Sequence, residues 1–113
     1  MATLANQGMA SQMSFGQHGS AFMDGTAAYT APSGKVVIAI TFLEDTVFSA
    51  LTPEITRDCF GLAAQSGQGT NNEVVATTTV FPKGLTVYGR WTTLTTDAAG
   101  SNGGVILYLG PAK

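Results

Sequence analysis

The chain has 113 residues, enough for one domain built around one core. Apolar residues make up 44% of it, an ordinary share, but charged residues make up only 11%, where about a quarter is usual. The net charge is −2 and the basic residues Lys35, Arg57, Lys83, Arg90 and Lys113 stand singly, which excludes a phosphate-tracking nucleic-acid surface and an electrostatic membrane patch.

So few charges leave an exterior of Thr, Ser, Asn, Gln, Gly and Ala, poorly protected against association. The expectation is a protein that assembles with copies of itself; the alternative is a neutral, Thr-rich monomer. The apolar run at residues 36–43 is too short to span a bilayer. Residues 1–10 have neither the basic region nor the apolar block of a signal peptide. Cys59 is the only cysteine, so no intrachain disulfide can form, and folding in a reducing cytoplasm is expected.

Residues 1–25 are rich in Gly, Gln, Ser, Ala and Met and hold no sustained period of 2 or 3.6. Their apolar side chains, among them Phe15, Phe22 and Met23, are many for a solvated tail. An extended arm that orders against a partner or its own domain is one reading, and a disordered terminus the other. Residues 26–113 form the domain proper.

Residues 27–30 make a short strand candidate, and Pro32, Ser33 and Gly34 supply a turn. Residues 35–43 are β-branched and apolar on both faces at first, which predicts a central strand. Glu44 and Asp45 turn the chain, and residues 46–51 read as its partner strand. Thr52, Pro53 and Glu54 carry the cap, first-turn and dipole signals of a short helix ended by Gly61, with a loop holding one helical turn as the alternative. Residues 65–72 make a flexible loop tip, and residues 73–81 return to strand composition.

After the turn at Pro82, Lys83 and Gly84, residues 85–96 read as a long strand. Leu85, Val87, Gly89 and Trp91 share one face; Thr86, Tyr88, Arg90 and Thr92 share the other. Gly89 beside two aromatics predicts a bulge or the close approach of another backbone. Residues 97–104 read as a hairpin loop, and residues 105–109 as the closing strand. The fold class expected is all-β, an antiparallel β-sandwich or barrel of six to eight strands with an extended N-terminal arm.

Catalytic and cofactor chemistry is sparse. His18 has no second histidine, Cys59 lacks the companions of a zinc site, and neighbouring Glu44 and Asp45 point to opposite sides of a strand end. Gly67-Gln68-Gly69-Thr70 superficially resembles a phosphate loop but lacks its Lys, its glycine spacing and a following helix. The expectation is a non-enzymatic protein without catalytic residues, metal or cofactor. Tyr88, Arg90 and Trp91 form the one cluster of interface or sugar-stacking residue types, although Trp91 shares an apolar face with Leu85 and Val87 and so fits the core.

The blocks at residues 30–51 (TAPSGKVVIAITFLEDTVFSAL), 81–91 (FPKGLTVYGRW) and 104–110 (GVILYLG) cover about a third of the chain. In these blocks, in size and in charge-poor composition, the chain resembles small virion structural proteins of tailed bacteriophages, in particular head decoration (cement) proteins. The resemblance implies a homotrimer on the capsid exterior, made in the host cytoplasm, that docks onto the major capsid protein by an N-terminal arm. Phe15, Phe22 and Met23 in the arm, with Tyr88 and Arg90, are then the candidate capsid or subunit contacts. The alternatives are a phage tail or fibre component, or a carbohydrate-binding β-module, that recognises a surface glycan.

Overall fold

A computed structural model describes residues 18–62, 67–97 and 104–113. Six strands follow in order: β1 (Ser20–Met23), β2 (Tyr29–Thr30), β3 (Lys35–Phe42), β4 (Phe48–Pro53), β5 (Thr86–Thr96) and β6 (Val105–Pro111). All pairings are antiparallel. The strands lie in the order β1-β6-β3-β5-β2, with β4 on the other side of β5. The result is an all-β fold in which one six-stranded antiparallel sheet curls into a half-barrel.

The curl has a visible cause. Core residues on β6 are spaced by two, Val105, Leu107 and Leu109, as a regular strand requires. On β3, β4 and β5 the inward buried positions are Val37, Ile40 and Phe42; Phe48, Leu51 and Pro53; Trp91, Leu94 and Thr96. Each set opens with a spacing of three. One extra residue therefore sits in each strand, and the register shifts there: between Val37 and Ala39, Phe48 and Ala50, and Thr52 and Pro53. Such bulges bend a strand and raise its twist, so three of them side by side roll the sheet around its apolar face.

Aromatic rings fill the concave side. Phe42 stacks on Phe81 at 5.1 Å between centroids, and Phe48 meets both rings edge-on. Trp91 is fully buried, edge-on to Phe60, and its indole N–H donates to the Phe60 carbonyl at 2.9 Å. The Trp91 core assignment thus holds. Gly89 is opposite the shift in β3, and a Cβ there would lie 2.6 Å from both the Cys59 Sγ and the Trp91 ring. The bulge and the close approach expected at this glycine are both present. Gly34 likewise takes a positive φ of 81° in the Pro32 turn, closed by Lys35 N–H to the Pro32 carbonyl.

Four local expectations are corrected. Residues 73–81 are not a strand: only Phe81 joins the sheet, by a bridge to Thr46, while residues 76–79 close a turn. Threonine-rich composition favours extended backbone, but this segment is mostly exposed and makes only single backbone contacts, Val75 N–H to the Gly61 carbonyl and the Phe81 bridge. Pro53 ends β4 rather than opening a helix, and residues 54–59 form turns, because Leu51 and Pro53 bury their side chains in the sheet. The strand β4 pairs with β5, not with β3. β5 and β6 do not pair as a hairpin, since β3 lies between them and takes up an edge of both; residues 98–103 of the expected hairpin loop lie outside the described residues. The central position expected for β3 is what separates them.

Residues 1–17, with Phe15, lie outside the described residues, as do 63–66 and 98–103. Ser20–Met23, within the segment read as the arm, form β1 at the sheet edge.

The Gly89 contact yields a test. Gly89→Ala is expected to cost about 1–3 kcal/mol of stability by overpacking. In a Cys59→Ala background, which removes one of the two clashing groups, the penalty shrinks. Urea denaturation of the four proteins checks this, and simple additivity of the two changes would contradict the packing account.

Candidate functional site

No group of three or more His, Cys, Asp or Glu side chains among the described residues is placed to hold a metal ion. Burial pushes the Cys59 thiol pKa up, away from the thiolate a nucleophile needs. What the fold presents instead is one convex sheet face and one open edge.

The face is built by register. Ser20 on β1, Tyr108 on β6, Ala39 on β3 and Tyr88 on β5 form one lateral row; Phe22, Ile106, Thr41 and Thr86 form the next. Neither row contains a charged side chain. Phe22 is 58% exposed and Tyr88 63%, the two most exposed large hydrophobic side chains among the described residues. The Phe22 ring lies over Gly104, where a Cβ would come within 2.9 Å of it. Met23, the next residue, turns inward and packs against the core.

The edge is β1. Leu109 N–H donates to the Gly19 carbonyl at 3.0 Å, so Gly19, Ala21 and Met23 are the residues whose backbone bonds to β6. By alternation, Ser20 and Phe22 point their N–H and C=O groups away from the sheet, and no described residue bonds them. The strand contains neither charge nor proline, the usual guards of an exposed edge. At the opposite margin the Leu51 carbonyl of β4 accepts from Leu62 N–H at 3.0 Å, so that side is partly covered.

Arg90 does something different. Its Nε donates to Glu54 Oε1 at 2.8 Å, and its Nη2 donates to the Pro111 carbonyl. Glu54 Oε2 accepts from the Lys113 backbone N–H at 2.8 Å, and Lys113 Nζ pairs with Asp58 at 3.2 Å. The guanidinium is thereby the centre of a clamp that ties the C-terminal residues to the β4 end. Tyr88 and Arg90 are thus near in sequence but set in different surroundings. The sequence gives no warning of the Glu54 contact, which depends on a pairing 36 residues apart. The place of Tyr108 in one row with Ala39 and Tyr88 likewise has no signal in its own strand.

Compared with protein-family models, curated proteins and solved structures, the chain matches none of them.

The clamp predicts a pH dependence. The hydrogen bond from Arg90, and then that from Lys113, hold the Glu54 carboxyl below its ordinary pKa. A group with a depressed folded pKa contributes stability above its unfolded pKa and loses it as pH falls through the folded one. Urea midpoints should therefore fall between about pH 5 and pH 2, and Glu54→Gln should be less stable at neutral pH with a shallower decline on acidification. Equal slopes for the two proteins would show that Glu54 is not a source of the acid sensitivity.

Proposed function

We propose that this chain is a non-enzymatic structural protein of a phage virion, a capsid decoration protein that binds the outside of the assembled shell as a homotrimer. The observation that carries the reading is the open β1 edge, with Ser20 and Phe22 directing their backbone groups outward beside the exposed Phe22 ring. A soluble monomer blunts such an edge with charge, proline or a covering segment. Low charge over the whole chain supports the same conclusion.

The sheet has two unlike margins, an open β1 and a partly covered β4. A contact between unlike patches is head-to-tail and closes into a ring when the rotation allows. Three copies joined in this way leave the convex faces of all three accessible. Binding only to assembled shell then stabilises the shell by mass action. The major capsid protein is the partner in this reading, and Phe22 is the side chain most exposed to reach a neighbour.

Light scattering on the purified full chain tests the self-assembly step. The expected mass is three times the 11.6 kDa of one chain. Phe22→Asp should dissociate the assembly while leaving the β-sheet circular dichroism unchanged, because Phe22 contributes little to the core. A monomer at high micromolar concentration would overturn the proposal.

A further inference from the structure

The β4 margin of the sheet does not end at β4. Gly61 lies directly against that strand, where a Cβ would come within 2.5 Å of the Leu51 carbonyl oxygen, so only glycine allows the approach. The Gly61 C=O and the Leu62 N–H belong to one trans peptide and point opposite ways. The Leu62 N–H bonds back to the Leu51 carbonyl, and the Gly61 carbonyl accepts on the outer side from Val75 N–H at 2.9 Å. Residues 72–75 are therefore the outer rim of this margin.

That rim has the chemistry of an edge strand. Residues 72–75 contain no turn or bend, and none of them has a positive φ. Successive residues of an extended backbone face opposite sides, so with Val75 turned to Gly61 the Val74 N–H and C=O face outward. No described residue bonds them. The Val74 side chain is 42% exposed.

Val74 thus matches Phe22, which has an exposed apolar side chain beside outward backbone groups on β1. An antiparallel pair in which the two residues exchange both backbone bonds sets Asp24 opposite Asn72. Both are exposed, and the Asn72 amide is the donor a carboxylate accepts from. Aromatic and β-branched side chains make a favourable cross-strand pair. Within one chain β6, β3 and β5 separate β1 from β4, so the complement of each edge is on a second copy.

We propose that residues 72–75 of one copy add as a strand to the β1 edge of the next, with Val74 and Phe22 as the backbone-bonded pair. The pairing rests on the head-to-tail trimer proposed above and names the segment that each copy donates.

The test is light scattering on full-length variants at high micromolar concentration, with circular dichroism as the check on folding. Val74→Pro removes the outward N–H from an exposed segment and should convert the trimer to monomer with the β-sheet signal unchanged. Thr77→Pro, in the neighbouring turn, should stay trimeric. Phe22→Asp and Val74→Pro each spoil a different half of the contact. Each alone should be monomeric, and an equal mixture should form a dimer of twice the 11.6 kDa chain mass, since one intact β1 edge then meets one intact rim. A wild-type multimer that survives Val74→Pro, or a mixture that stays monomeric, would overturn the pairing and leave the trimer standing. A monomeric wild type would overturn the trimer, and the pairing with it.

Discussion

The structure depends on three extra residues, one in each of β3, β4 and β5. A flat sheet of this size could not enclose Phe42, Phe48, Phe81 and Trp91, because a single layer has nothing to pack its apolar face against. Bulges let adjoining strands turn the same way, and the face closes on itself. Everything on the concave side follows from that turn: the stacked Phe42 and Phe81 rings, the Trp91 indole bonded to the Phe60 carbonyl, and Gly89 as the only residue type that clears Cys59 and Trp91.

The same geometry decides what remains outside. A curled sheet that does not close keeps its margins, and this one keeps β1 as an edge with outward backbone groups. The β4 margin is partly covered by residue 62, and the C-terminal residues are tied down through Glu54 and Arg90. The open edge is therefore local to one side of the molecule. An assembly built on it would use hydrogen bonds that no described residue makes, rather than a large apolar patch.

Much of this is legible in the residues. The β-branched run at β3 announces a central strand, and β3 is flanked by β5 and β6. The turns at Gly34 and Gly84 fall where Pro and Gly place them. Gly89 between aromatics signals its own close contact. What fails is any inference that assumes a strict period of two. Trp91 falls on the face that alternation gives it, yet the next core residue is Leu94, which the same alternation sends to the opposite side. Pairing partners are also illegible: β4 follows β3 in the chain but joins β5, and β6 follows β5 but joins β3. Local composition cannot report contacts made across dozens of residues, and the Glu54 clamp arises in this way. Strand propensity misleads at residues 73–81, where threonines favour an extended chain but only Phe81 forms a bridge, to Thr46.

The account's central claim is that the β1 edge is completed by a neighbouring copy. Amide hydrogen exchange at Ser20 and Phe22 tests it most directly, because these two N–H groups point away from β6 and no described residue accepts from them. The account predicts slow exchange at both positions in the concentrated, assembled protein and fast exchange on dilution to monomer, with the Ala21 and Met23 amides changing little. Fast exchange at Ser20 and Phe22 in a sample whose mass is multimeric would contradict it, and would place the contact on another surface.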